Sequence, residues 1–362
     1  MPPKKQAGAK RARPDSPVPQ GAAPPKPSAA SRGPHGSASP ARHTQAVSAV
    51  NPEVPIDPKT GIVYHLACTK KDLADRIILV GDPFRVPIVA ESFDKGSIVF
   101  DRTHREIRII TGKFKGTPVT VLSTGMGTDN CEIVLNEIHV LKEYDVKTGK
   151  WTATPPDMRL IRVGTCGSPR PEYAIGTLAV TQHSIGMDNT CQWYTAPPKG
   201  DKQAWPASVA ALQKVLDGSG FGKVNKVYAA KAHPSVTAAL SATGKKLCGK
   251  TRAIEVGTTA SASGFYGNQG REVGRFTGRL AVPDLVDQLS ALRHNGGEKV
   301  GNIEMETSAI CFLSNILGYR AGAICAVIAT RAGSHRAFAT PQESKDAVAA
   351  AIDVALNTII GL

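Results

Sequence analysis

The chain has 362 residues, of which 41% are hydrophobic and 20% charged, and its formal net charge is +14. That is enough apolar material for one large domain or two ordinary ones, and it excludes a wholly disordered or fibrous protein. No stretch approaches the roughly 18 uninterrupted apolar residues of a membrane span. Residues 1–20 also lack the apolar run of a secretory signal, so a soluble intracellular protein with no membrane partner is expected.

Residues 1–50 contain no Phe, Trp or Tyr and hold ten of the 26 prolines. Such a composition cannot offset the entropy of ordering, and the segment reads as a disordered tail. It carries eight Lys or Arg against Asp15 alone, or +7 of the +14, so the remainder is less basic than the whole. Clustered charge in KKQAGAKRAR is read as a nuclear-import or nucleic-acid contact, or as a solvated extension. A cytoplasmic protein is expected, with the tail leaving nuclear import open. Seven cysteines without CxxC spacing fit free thiols in a reducing compartment better than a disulfide framework or a zinc site.

From Gly61 onward, short apolar runs alternate with glycine turns and helical patterns. RIILV (76–80) reads as a buried strand, followed by a Gly-Asp-Pro turn and a short helix through Val86, Ile88 and Val89. Ile98 to Asp101, Ile107 to Thr111 and Val119 to Ser123 read as strands of a hairpin or meander. After Thr128 a helix is predicted to end near Tyr144, with Asp129 and Glu132 as a capping box and Cys131, Val134, Leu135, Ile138 and Leu141 on one face. Stretches 147–156 and 197–205 are polar and hold Pro or Gly, and read as loops or insertions. Leu160 to Val163 reads as a buried strand running into a glycine turn, Gly164-Thr165-Cys166-Gly167.

Ile175 to Val180, Val224 to Ala230 and Arg252 to Gly257 are further predicted strands, and Val236 to Lys245 and Pro283 to Leu292 predicted helices. Met305 to Leu317 reads as an amphipathic helix stopped by Gly318, with the strand Ala321 to Thr330 after it. Thr340-Pro341-Gln342-Glu343 opens the last helix as a capping box. Strands and helices interleave without an internal repeat. The fold class is α/β, one domain from about residue 60 to 362 with a central mixed sheet flanked by helices.

Three constellations could carry chemistry. Arg162 lies inside an apolar strand, where an unpaired charge is very costly, so it needs an anionic partner: an internal carboxylate or a bound oxyanion. Arg85 beside a glycine turn and Arg105 nearby favour the second. Glu304-Met305-Glu306 stands where an apolar segment enters a helix, and these carboxylates serve either the helix dipole or sugar hydroxyls. Gly264-Phe265-Tyr266-Gly267-Asn268-Gln269-Gly270-Arg271 joins aromatic faces to an amide and a guanidinium, which suits either a flat ring or a packing anchor.

GDPFR, HREI, STGMGTDN, RVGTCG, GFYGNQGR, NIEMET and VIATR, in that order, closely resemble the nucleoside phosphorylase superfamily, and within it the branch that cleaves uridine. The resemblance runs from about His65 to the C-terminus. It implies reversible phosphorolysis of uridine, and of deoxyuridine, to uracil and ribose 1-phosphate in pyrimidine salvage. By similarity Gly81, Arg85, Arg162 and Thr165 hold phosphate, with Arg105 arriving from a neighbouring subunit. Glu304, Met305 and Glu306 surround the ribose, and the partner's copy of His65 reaches its 5′ end. Phe265 flanks the nucleoside, Thr165 and Gly167 also contact it, Gln269 and Arg271 bind the uracil edge, and Ile328 and Arg331 close the base pocket. The residues implied in catalysis are Arg162, Gln269, Arg271 and Glu306.

Purine-specific relatives carry a catalytic aspartate where this chain has Thr330-Arg331. Cys166 stands where many relatives have threonine. The resemblance implies a homodimer with shared sites, phosphate as co-substrate and no cofactor; some relatives hold a structural cation at the dimer axis, near the positions of Glu106 and Met126.

Three other readings are weighed. A purine or broad-specificity phosphorylase is the nearest. A dinucleotide enzyme would want a third glycine where Asn130 follows Gly125 and Gly127. A non-catalytic nucleic-acid-binding protein would want an aromatic-rich basic stretch in the folded part, which is lacking.

Overall fold

The computed structural model describes residues 51, 53–195, 206–293, 297–331, 333 and 336–362. The tail expected over 1–50 and the loop expected over 197–205 lie outside the described residues. RIILV forms β1 (Arg76–Val80), buried at every position after Arg76, and the Gly-Asp-Pro turn leads into α1 (Arg85–Ala90). An antiparallel meander follows, β2 (Phe100–His104), β3 (Ile107–Phe114) and β4 (Thr117–Ser123). Its first turn holds Arg105 at φ +54, a left-handed conformation costing a non-glycine residue of order 1 kcal/mol.

In α2 (Thr128–Glu143) the face Cys131, Val134, Leu135, Ile138 and Leu141 is buried as its spacing predicts. The expected Asp129–Glu132 capping box does not form. The helix starts from Gly127 at φ +98, and the Glu132 carboxylate accepts from Asn136 Nδ2 and the Tyr194 hydroxyl instead. Stretch 147–156 is not wholly loop. Two short strands, β5 (Tyr144–Asp145) and β6 (Lys150–Trp151), pair across it. The Trp151 ring stacks on His139 at 4.6 Å, a contact that polar composition conceals.

The predicted glycine turn after Val163 is a correction of more consequence. β7 (Arg159–Ser168) continues through both glycines, because a later strand supplies hydrogen-bond partners as far as Ser168. Gly164 serves packing here, since a Cβ on it would meet the Cys325 sulfur at 2.9 Å. β8 (Leu178–Gly186) begins later and runs further than Ile175 to Val180. Helix α3 (Pro206–Asp217) was not foreseen, and the strand expected from Val224 is instead the short α4 (Gly220–Val224) followed by β9 (Tyr228–Lys231).

The rest follows the pattern: α5 (Pro234–Cys248), β10 (Ile254–Ser261), α6 (Leu285–Ala291), β11 (Val300–Glu304) and α7 (Thr307–Leu317), which Gly318 ends at φ +74. Then come β12 (Arg320–Thr330), β13 (Ala337–Phe338) and α8 (Pro341–Ile359), which opens on the Thr340–Glu343 capping box.

Eleven of these strands form one mixed sheet. β7 is its hub, pairing in parallel with β1 and β12 and meeting β11 antiparallel at Gly167 and Ile303. Five strands close on themselves in the order β7, β12, β8, β10, β11, while β1, β4, β3 and β2 extend the sheet to one side. Helices α2 and α7 cover one face through Leu135, Ile138 and Ile310. Helices α1, α5 and α8 cover the other through Val89, Val236 and Leu356. The fold is the expected α/β domain with a central mixed sheet between helical layers. Val54 and Leu66 belong to its core as well. Among the described residues no helix is long and apolar enough to cross a membrane.

Candidate active site

The carboxyl ends of β1, β4, β10 and β11 surround the middle of β7, and a cavity of about 590 Å³ opens there. In open α/β sheets such crevices at strand ends are the usual ligand sites. Gly81, Arg85, Arg162, Thr165, Gly167, Phe265, Gln269, Arg271, Glu304, Met305, Glu306 and Ile328 all line it. Residues scattered over most of the sequence motifs are thus brought to one place.

At one end stands Arg162, fully buried on β7. Its Nε donates to Glu304 Oε2 at 3.0 Å and its Nη2 to Glu306 Oε2. The sequence alternatives of internal ion pair and ligand contact are therefore not exclusive, because Nη1 has no protein partner among the described residues. A Cβ on Gly81 would lie 3.9 Å from that nitrogen, which sets a glycine opposite it. Burial alone would lower the Arg162 pKa, but Glu306 and Glu304 outweigh burial and hold it above its usual value, so the group stays charged. Arg85 donates from Nη1 to the Val163 carbonyl at 3.4 Å. Burial and then Arg162 lower its pKa. Two guanidinium groups that repel one another at a cavity wall make a suitable seat for an oxyanion.

The two carboxylates differ. Glu304 accepts from Arg162 Nε, the Ser261 hydroxyl, the Glu306 amide at 3.1 Å and the Thr307 amide at 3.0 Å. Four donors fill the roughly four acceptor sites of a carboxylate, so Glu304 serves to cap α7 and to orient Arg162. Glu306 accepts from Arg162 and from the Gly127 amide at 2.8 Å and keeps acceptor capacity to spare. Burial raises its pKa, with Arg162 opposing and Glu304 adding. The same Gly127 bond explains why α2 is capped from a distance and not by its own Asp129.

The other end is built from the loop after β10 and from β12 and β13. Arg271 Nη2 donates to Gln269 Oε1 at 3.1 Å, and its Cζ stacks 4.2 Å from the Phe265 ring centre. The residues lining this end include no carboxylate. Arg331 does not line the cavity. It lies behind the wall, its stem against Gly167 and its Nη2 donating to the Gln269 carbonyl at 2.5 Å. Burial, with Arg271 and Arg336 beside it, lowers its pKa to about 10.

His65 and Arg105 also stand outside the cavity of their own chain. His65 is bound by its amide and Nδ1 to Glu137, and Arg105 donates to the Tyr64 hydroxyl at 3.1 Å. Arg105 lines a surface depression with Tyr64, Arg102 and His104, and the His65 ring meets that of Tyr64 edge-on at 4.8 Å. Glu106 and Met126 do line the cavity, as do several residues the sequence did not single out for it, Asp82, Asn130 and Phe338 among them. Ser261, behind Glu304, was also missed. A lone Ser at a strand end and a lone Phe near a predicted helix start carry no local signal.

A family model described as the phosphorylase superfamily matches residues 75–360. The uridine phosphorylase of Thermococcus kodakarensis is 32% identical over 286 residues, 79% of this chain and 82% of that protein. A DeoD-type purine nucleoside phosphorylase of Streptococcus pyogenes is 37% identical over 125 residues, which are 34% of this chain and 47% of the relative. Among solved structures, the Trypanosoma brucei nucleoside phosphorylase, described as showing uridine phosphorylase activity, is 43% identical with a TM-score of 0.76, over 85% of this chain and 100% of that one.

Proposed function

The chain belongs to the phosphorylase superfamily, and from that premise we propose that it catalyses the reversible phosphorolysis of uridine, and of deoxyuridine, to uracil and a pentose 1-phosphate. The observation that carries this reading is the division of one cavity into an end where Arg162 bridges Glu304 and Glu306 with Arg85 beside it and a carboxylate-free Gln269–Arg271 end. Similarity over 79% of the chain to a uridine phosphorylase, and over 85% to a nucleoside phosphorylase described as showing that activity, supports it, whereas the match to the purine enzyme covers 34%.

The geometry suits the charges of the reaction. Arg85, Arg162 Nη1, Gly81 and Thr165 hold phosphate beneath the sugar. Glu306 accepts a ribose hydroxyl, Met305 packs beside it, and Glu304 keeps Arg162 in place. A phosphate oxygen bonds to C1′ as the bond from C1′ to the base nitrogen breaks, and the bonding pair leaves on the uracil ring. Positive charge on the sugar then faces phosphate and Glu306, and negative charge on the base faces Arg271, with Gln269 offering amide donor and acceptor to the uracil edge. Arg331 acts by fixing the Gln269 backbone.

The reading includes a homodimer in which His65 and Arg105 complete the neighbour's site; their position outside their own cavity supports it. A cation shared by two copies would draw on Glu106 and Met126. In one chain the Met126 carbonyl already accepts from Asn130 Nδ2 at 3.2 Å, a hard cation takes about six or more oxygens and so would need both copies, and no step runs through it.

The deciding assay is base release from a nucleoside panel with and without phosphate. Uracil release that requires phosphate is expected. Comparable cleavage of inosine would favour the broad-specificity reading. Salt-dependent DNA binding without cleavage would favour a nucleic-acid-binding protein.

A further inference from the structure

We propose that Phe338 is a positioning residue for base recognition: with Phe265 it clamps the Arg271 guanidinium between two rings, so that the arginine meets the edge of a planar uracil-type base in a fixed plane. The Arg271 Cζ lies 4.2 Å from the ring centre of Phe265 and 4.7 Å from that of Phe338, both inside the roughly 6 Å reach of a cation–π contact.

The clamp answers a need of Arg271. Arginine is long and flexible, and a recognition group that swings loses the benefit of its fork geometry. The Arg271 Nε is covered and has no partner among the described residues. Its hydrogen bond to Gln269 Oε1 holds one nitrogen, Nη2, and does not by itself fix the plane of the fork. Burial, with Arg336 adding, lowers its pKa. The faces of the two rings are what remain to hold the guanidinium plane.

Phe338 is itself well fixed. It pairs with Ala329 across β13 and β12. The Ala339 amide donates to the Ile328 carbonyl at 2.8 Å and the Ala337 amide to Thr330 Oγ1 at 3.1 Å. Ile328 and Ala329 line the cavity, so the strand that walls the base also carries the ring. Phe338 joins none of the apolar clusters of the core and is 56% exposed. An exposed phenylalanine held this firmly at the cavity is accounted for by the arginine and the base it faces.

This inference rests on the uridine reading, and kinetics of F338L, F338Y, R271L and the F338L/R271L double variant test it. F338L should raise the uridine KM three- to tenfold while leaving the phosphate KM unchanged, and F338Y, which keeps the ring, should match wild type. Adding F338L to R271L should cost nothing further. An unchanged uridine KM in F338L, or the same loss from F338L with and without Arg271, would overturn the clamp. If wild type releases no uracil, the substrate reading fails, and thermal unfolding decides the clamp alone. F338L should then lower Tm when Arg271 is present but not in the R271L background, and equal shifts would refute it; the same cycle decides if R271L is too slow to assay.

Discussion

The two ends of the cavity are held by different physics. At the Arg162 end, side chains on β7 and β11 are buried, Arg162 bridges two buried carboxylates, and Glu304 has no acceptor site left over. At the Arg271 end, side chains come from a loop and a two-residue strand, two phenylalanines are partly exposed, and the arginines lack carboxylate partners among the lining residues. A buried ion network is rigid because breaking it strands a charge. A stacked, solvent-facing pair can be altered at small cost to the fold. The comparison implies that changes at the first end damage both stability and chemistry, whereas changes at the second alter the choice of base.

The largest expected effect is that of Arg162→Ala. Its loss leaves Glu304 and Glu306 buried without a counter-ion, which should cost about 3–5 kcal/mol of stability. It should also raise the barrier for phosphate-dependent turnover by about 2–4 kcal/mol. Denaturant titration and phosphate kinetics measure the two separately, and a folded variant with unchanged phosphate dependence would remove Arg162 from the anion site.

The same variant gives a sharper test when mixed with Arg105→Ala. If Arg105 serves the neighbouring subunit, a mixed dimer carries both lesions in one site and leaves the other intact. Two weak parents co-refolded in equal amounts should approach about a quarter of wild-type activity, since about half the dimers are mixed and each has one good site of two. Activity at the mean of the parents, despite verified exchange, would show that Arg105 does not act across the interface.

At the second end, Gln269→Ala should spare the melting temperature and erode the preference for uridine over inosine, which a site built for a polar base edge should set on the order of 10⁴. A preserved ratio would deny Gln269 its role, and a large fall in Tm would erase the contrast between the ends.

A smaller effect concerns pH. Burial raises the Glu306 pKa, and its ionised form is the one that can accept from Arg162, Gly127 and the sugar. The acid limb of kcat/KM should therefore lie above the ordinary glutamate range and vanish in Glu306→Gln; an ordinary limb, or one unmoved by the substitution, would contradict this. Stability has the opposite sign. The folded state binds this proton more readily than the unfolded one, so the contribution is full below the unfolded pKa and is lost as pH rises through the folded pKa.

Much of this molecule was legible in its sequence. Apolar runs located β1, β7 and β12, Gly318 ended α7, and Thr340 with Glu343 opened α8, because each signal acts on its own neighbourhood of the chain. An arginine within an apolar strand required an anionic partner by the cost of burying charge, and the order of the motifs carried the family. The identity of that partner was not legible: Glu304 lies 142 residues from Arg162 in the chain. Nor was the division of labour between Glu304 and Glu306, which depends on Ser261, Gly127 and the first amides of α7 meeting at one point. The supposed turn at Gly164 is strand only because β12 lies alongside it, and Phe338 gains a role only because Arg271 lies over its ring. Local propensity is set by adjacent residues, whereas pairing, saturation of acceptors and ring contacts are set by which distant strands the packed core brings together.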